Sequence, residues 1–364
     1  MENKLNFAGN CRTTAMGIMP HTDIGKAMAL SLGLDIPFWP QLPNVNYYED
    51  MYVQASEHFP GIAVDLEEKR ISLDTARFYD ELDEYSEKME DPSTFRLTEG
   101  YAAVYRRFLA QDLTGYAAVR GQLIGPVSFG FKVFDENNVP IIYNEAIRPL
   151  LFDFLSRKIN VQYAELKEKN ENAFVWLDEP GLGWVFSGLS GYDDVVAKRE
   201  YGEFLESLSG PSALHLCADV NLPYLLSMGT AILSFDAYQT GTMPKGYAEA
   251  VRDFLKSGGI VSWGIVPTDS VSLAGETPES LAGRLLDHWS VVTANTDMTM
   301  QEMAEQAFIA PARCCLKNIG TVGAVGEPAS KKAACDAVQP EEYLVETAFT
   351  YLKEISQLLR ARGW

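Results

Sequence analysis

Short apolar or β-branched runs recur along the chain, each bounded by glycine or polar residues and separated by stretches with a helical period. They cover Thr13–Ile18, Gly61–Asp65, Gln122–Phe131, Ala173–Leu177, Ala213–Cys217, Ile232–Asp236, Ile260–Val266 and Phe308–Pro311. Runs of this length and composition predict strands buried on both faces, as in parallel sheets. Between them, Pro149–Lys169 opens on a proline, which suits the first helical turn, and places Leu150, Leu151, Phe154, Leu155 and Ile159 on one side. Glu341–Leu359 does the same with Leu344, Ala348, Leu352, Ile355 and Leu359. Eight strands alternating with helices predict a (β/α)8 TIM barrel. An open doubly wound sheet is the alternative, but no G-x-G-x-x-G follows the first strand.

Two regions exceed a minimal barrel. Residues 66–120, after the second predicted strand, are charged and aromatic and predict a helical insertion. Residues 318–340 are rich in Gly, Ala and Lys and predict a mobile loop after the eighth strand. With 364 residues, one barrel with insertions accounts for the whole length, and no linker divides residues 1–364 into two domains.

Composition narrows the partners. An apolar share of 47% and a charged share of 22% are those of an ordinary globular protein. A net charge of −20 opposes binding to nucleic-acid phosphates or anionic membrane surfaces. The N-terminal residues carry no apolar signal region, and no run approaches the length of a transmembrane helix. Five cysteines (Cys11, Cys217, Cys314, Cys315 and Cys335) are an odd number without a disulfide framework. A cytoplasmic protein with reduced thiols is the expectation.

Barrel chemistry sits at the C-terminal ends of the strands. His215 and Cys217 close the fifth predicted strand, Asp236 the sixth, and Cys314 follows the eighth; Asp178 and Glu179 follow the fourth, and His21 the first. His215 and Cys217 are two residues apart, so on a strand both face the same side. A nitrogen and a sulfur pointing together suit zinc, with Cys314 as a second sulfur and Asp236 as an oxygen from the next strand. The competing reading makes His215 a hydrogen-bonded core histidine and Cys217 a small hydrophobe. Cys315 is read as packing, Cys11 and Cys335 as incidental, and His58 and His288 as surface or packing residues of helix-like stretches. Tyr238 and Trp263 are read as rim packing or as a platform for a flat cofactor.

At these residues the sequence resembles a known family. His215-Leu216-Cys217, Phe235-Asp236-Ala237-Tyr238 and Cys314-Cys315-Leu316-Lys317 are similar to the zinc motifs of the catalytic barrel of cobalamin-independent methionine synthase. That barrel belongs to the uroporphyrinogen decarboxylase/methionine synthase-like superfamily. Asp178-Glu179-Pro180 resembles its Asp-Glu-Pro motif, and Gly17-Ile18-Met19-Pro20-His21-Thr22 its Gly-Ser-x-Pro-x-Thr segment. The resemblance implies Zn2+ on His215, Cys217 and Cys314, with Asp236 as the fourth candidate. It also implies a small thiol such as homocysteine, or a coenzyme M-like thiol, whose amino group, where present, meets Asp178. Glu179, His21 and Trp184 are then candidate pocket residues.

The departures point to the donor. Ile18 replaces the family's serine, no Gly-Glu-Pro-Glu-Arg segment follows the second strand, and Trp263–Asp269 holds no histidine. In the folate enzyme that histidine is the acid that activates the methyl donor. A cobalt donor leaves without a proton, so a methylcorrinoid is expected, held on a corrinoid protein. The missing acid and the missing N-terminal barrel of the folate enzyme both resemble the short core methionine synthases and corrinoid-dependent methyltransferases. Two other readings remain. One is a metal-free decarboxylase-like enzyme, for which Arg12 is the lone nearby arginine; the other is a zinc- or corrinoid-binding accessory protein.

Overall fold

A computed structural model describes residues 5–314, other than 187, 189 and 218–220, and residues 341–363. Cys315, Cys335 and the loop predicted over 318–340 lie outside the described residues.

Strand β1 (Arg12–Thr13) opens the fold, and β2 (Ile62–Asp65) pairs antiparallel with β3 (Arg70–Leu73) in a separate hairpin. The remaining strands are β4 (Val119–Ile124), β5 (Ala173–Asp178), β6 (Ser212–Leu216), β7 (Ile232–Phe235), β8 (Ile260–Val266) and β9 (Ala307–Pro311). They form with β1 one seven-stranded sheet in the order β1-β9-β8-β7-β6-β5-β4, every pair parallel. The long helices Ile147–Lys167, Pro278–Thr293 and Glu341–Arg360 belong to the outer layer.

Side chains alternate across this sheet, as a period of two requires. Leu177, Leu214, Leu233 and Val261 join the large core beneath the helices. On the other side Phe174, Trp176, Ala213, Ile232, Ile260 and Phe308 make a smaller inner core. Phe7 closes that core, stacking on Phe174 and Phe308 with centroids 6.3 and 6.1 Å away. Both faces of β5, β6, β7 and β8 are buried, which is why their sequences read as continuous apolar runs.

Three expectations are corrected. The second predicted strand, Gly61–Asp65, is not in the main sheet; its residues form β2 of the hairpin, turned by Lys69 at φ 48°. Its place near β1 and β4 is taken by the extended segment 36–41. There Gln41 N–H donates to the Gly17 carbonyl (2.8 Å), and Arg120 N–H donates to the Pro37 carbonyl (3.1 Å). Parallel bridges join Ile18 to Gln41 and Phe38 to Arg120. The insertion therefore follows segment 36–41, and residues 66–118 add to it β3 and the helices Thr75–Lys88 and Glu99–Leu109.

The third predicted strand, Gln122–Phe131, is half strand and half helix. β4 ends at Ile124 and the helix Pro126–Lys132 begins at once. Pro126 is preset for a first helical turn, and the helix's free N–H groups find the Glu179 carboxylate. His58 sits in a turn at φ 70°, not in a helix. No helix among the described residues is long and apolar enough to cross a membrane.

Candidate active site

The strand register builds the site. Asp178 of β5 lies opposite His215 of β6, His215 opposite Ser234 of β7, and Ser234 opposite Ser262 of β8. A polar row thus crosses the inner face just above the Trp176–Ala213–Ile232–Ile260 layer. The Nδ1 of His215 lies 3.0 Å from the Ser234 hydroxyl. Its Nε2 is buried and has no hydrogen-bond partner. Burial, with the Arg120 guanidinium adding to it, pushes the imidazole down to about 3, so the ring is neutral and a free donor pair is available.

Neither oxygen of Asp178 has a hydrogen-bond partner, although the side chain is buried. Burial raises its carboxyl to about 7 against the opposing pull of Arg120. Cys217, two residues beyond His215, is half-buried, and its thiol is pushed up to about 11 by the same desolvation. Asp236 is occupied: its carboxylate accepts from Arg313 Nε at 2.7 Å and from Gln239 N–H at 2.9 Å. Cys314 follows β9, where its carbonyl accepts from the Thr268 hydroxyl at 3.3 Å.

One cavity of about 420 Å³ collects His215, Cys217, Cys314, Asp178 and Asp236, with Met51 and Tyr52 on its wall. The structure thus brings together five of the predicted site residues. It does not bring in the other three. Glu179 faces away, accepting from Val127 N–H, Ser128 N–H and the Ser128 hydroxyl at 3.1, 2.8 and 2.6 Å. It caps a helix rather than lining the pocket, with its carboxyl raised to about 7 by burial. Trp184 is 45% exposed outside the cavity lining. His21 is buried next to Glu342 and Glu346 of the last helix.

Tyr238 lines the cavity, whereas Trp263 is buried in the outer core against Phe235 and stacks on His288. His288 is a packing residue, as expected, its Nε2 3.0 Å from the Ala237 carbonyl. Arg12 lies at the opposite end of β1, donating to the Ala8 carbonyl.

Sequence reasoning missed Arg120. Its side chain is fully buried between the rings of Phe38 (4.9 Å) and Trp176 (4.6 Å). Its Nε donates to the Thr14 hydroxyl at 3.1 Å and its Nη1 to Gln122 Oε1 at 3.2 Å. Burial lowers this guanidinium to about 9. A signal existed: Arg120 and Gln122 are polar residues at every second position of an otherwise apolar strand. Ser234, two before Asp236, carried a similar one.

The donor set fits zinc in its chemistry. One neutral, unpartnered imidazole nitrogen and two thiols open on a single cavity at the C-terminal strand ends. Its atoms are more widely spread than in a loaded site. Among the described residues, the one group of three donors whose atoms all lie within 4.8 Å of one another is His21, Glu342 and Glu346.

A curled parallel sheet carrying its cavity at the strands' C-terminal ends is a fold this chain shares with solved structures. The chain is similar to a B12-independent methionine synthase from Shewanella sp. W3-18-1, solved in complex with selenomethionine. The TM-score is 0.57 and the identity 13%, over 96% of this chain and 98% of that one. It is also similar to a methyltransferase from Methanosarcina mazei, with a TM-score of 0.52 and 14% identity over 96% of this chain and 94% of that one. At such identities the likeness is one of fold. No family model and no curated protein matches the sequence.

Proposed function

We propose that residues 1–364 form a single catalytic domain, a zinc-dependent methyltransferase that moves a methyl group from a methylcorrinoid to a thiol. Homocysteine is the first choice of acceptor, ahead of a coenzyme M-like thiol. In this reading segment 36–41 is the remaining stave of an eight-stranded barrel. The observation that carries the proposal is the buried, unpartnered Nε2 of His215 in the cavity that also holds Cys217 and Cys314. His215, Cys217 and Cys314 would hold the metal, and Asp236 comes second because Arg313 already pairs with it. Zinc bound there would supply an acceptor sulfur in its thiolate form at neutral pH, where a free thiol is mostly protonated.

The chain's own residues do the rest. Ser234 fixes the tautomer and orientation of His215 through Nδ1, the outer-shell role that metal-bound histidines commonly need. Asp178, with two free oxygens at the cavity, is placed to accept from the ammonium group of an amino-acid thiol. The cavity of about 420 Å³ accommodates such a thiol but not a corrinoid macrocycle. The donor therefore presents its methyl group at the mouth, which favours a corrinoid carried by a protein. With such a donor the acceptor sulfur would take the methyl group as the carbon–cobalt bond broke, and the electron pair would stay with the cobalt. No acid is needed, in keeping with the loop after β8. There Asp269 lines the cavity, but its carboxylate accepts from Ser272 N–H as a helix cap.

The test is X-ray absorption at the zinc edge on the purified protein, with and without homocysteine. A shell holding sulfur, which gains one more on adding the thiol and loses one in Cys217→Ser or Cys314→Ser, supports the reading. An all-nitrogen-and-oxygen shell unaffected by either variant would remove the thiols from the site. A methyl-transfer assay with methylcobalamin then separates the corrinoid donor from a folate.

A further inference from the structure

The His21–Glu342–Glu346 group sits apart from the cavity and has no part in the chemistry above. His21 follows the first strand region, while Glu342 and Glu346 stand one turn apart at the start of the helix Glu341–Arg360. Three donors, one nitrogen and two carboxylate oxygens, lie within 4.8 Å of one another. The His21 side chain has 0% of its surface exposed, and neither ring nitrogen has a hydrogen-bond partner. Buried polar groups are nearly always satisfied, and an exception calls for a missing partner. The unpartnered Nε2 is aimed at the carboxylates, 4.0 Å from Glu346 Oε1.

We propose that His21, Glu342 and Glu346 form a second divalent-cation site, of the nitrogen-and-oxygen type that zinc occupies, clamping the loop after β1 to the C-terminal helix. Imidazole nitrogen and carboxylate oxygen are both ordinary zinc ligands. Calcium and magnesium are disfavoured because they prefer all-oxygen shells. The inference does not rest on the methyl-transfer reading.

Lys26 supplies the detail that makes the idea testable. Its ammonium lies 2.6 Å from Glu346 Oε1 and 3.5 Å from Glu342 Oε2, and it is the counter-ion those carboxylates hold in this structure. Its side chain is 44% exposed and can swing into solvent. Glu342 has a further tie, accepting from Thr22 N–H at 3.2 Å. A cation bound by the three residues must displace Lys26, so the two compete for one place.

The experiment is a calorimetric titration of zinc chloride into the full-length Cys217→Ser/Cys314→Ser protein, whose thiol site is disabled. One equivalent should bind. Glu346→Gln should weaken that binding about tenfold or more, and Lys26→Ala should tighten it by about threefold by removing the competing charge. No zinc uptake in this background, or uptake that Glu342→Gln and Glu346→Gln both leave unchanged, overturns the proposal. Should the double cysteine variant fail to fold, cobalt(II) on the native chain serves instead. A thiolate site shows intense sulfur-to-cobalt charge-transfer bands and the His–Glu–Glu site shows none. An equivalent of cobalt without those bands, lost in Glu346→Gln, supports the second site. Its absence sinks this proposal while leaving the thiol site standing.

Discussion

Asp178 is buried, and the burial is offset chiefly by the field of Arg120, a cation that is itself desolvated, with a smaller contribution from the Trp176 indole. A charge kept in this way destabilises the resting protein and is retained where a ligand will use it. The sign of its pH effect follows. Its carboxyl is raised from the ordinary aspartate range to about 7, so the neutral form is favoured in the folded state. The associated stability is fully present below the unfolded pKa of about 4 and is lost as the pH rises through about 7. Glu179, also raised to about 7, adds in the same direction. Metal-free protein should therefore be less stable at pH 8 than at pH 5.5, by urea unfolding, and Asp178→Asn should recover on the order of 1–3 kcal/mol at the higher pH. The same variant should raise KM for an amino-acid thiol and leave a thiol without an ammonium group unaffected. Equal pH slopes in the two proteins would deny Asp178 its place as a buried, titrating group.

At the next scale, the junction between β4 and the helix Pro126–Lys132 depends on Gly125 in a way that its backbone angles do not reveal. A Cβ at Gly125 would lie 2.0 Å from Glu179 Oε1 and 2.3 Å from its Cδ. Gly125→Ala must push that carboxylate off three donors, leaving the helix N-terminus open and a buried charge unpaired. A loss of about 2–4 kcal/mol in chemical unfolding is expected. Gly202, inside the helix Asp194–Glu206, has no neighbour within 4 Å of its virtual Cβ. There alanine should add about 0.5–1 kcal/mol through helix propensity. Equal effects at the two glycines would refute the steric account. The same junction explains what could be read from the sequence. β5, β6, β7, β8 and β9 were legible because both faces are buried and mostly apolar, and their ends carry Asp178, His215 and Asp236 in chain order. Glu179 was not legible as a helix cap, because its partners, Val127 and Ser128, lie fifty residues away inside a run whose valine and phenylalanines imitate a strand. Arg120 was hidden for a related reason: a charge fully inside an inner core runs against every local expectation. The pairing of His21 with Glu342 and Glu346 joins the two ends of the chain and leaves no local trace.

For the whole molecule, the closure of the fold depends on the two edges of the seven-stranded sheet, β1 and β4. β1 and β4 would each leave a row of unpaired backbone groups, and exposed edges invite association. Segment 36–41 touches both. Besides the Gln41 and Arg120 amides, Ile36 N–H donates to the Thr13 carbonyl (3.0 Å) and Met19 N–H to the Gln41 carbonyl (3.0 Å). Phe38 and Trp39 are wholly buried, and Phe38 meets Phe349 of the last helix with ring centroids 6.3 Å apart. Pro37 and Pro40 interrupt the donor pattern of the segment, which is why it reads as loop in the sequence and bridges its neighbours only at intervals. If it closes the barrel, it must open only when the molecule unfolds globally, since freeing it would uncover Phe38 and Trp39 and leave the Arg120 guanidinium without one of its ring partners. Native-state hydrogen exchange decides the matter. The amides of Ile36, Gln41, Met19 and Arg120 should exchange as slowly as those of β5 and β6, and respond to urea with the same steep dependence. Exchange of these four amides with a shallow urea dependence, while β5 and β6 stay protected, would mean that the sheet is a curled half-barrel with a separately opening flap. The cavity at its C-terminal end would then lack a continuous wall beside Ile18 and Tyr52.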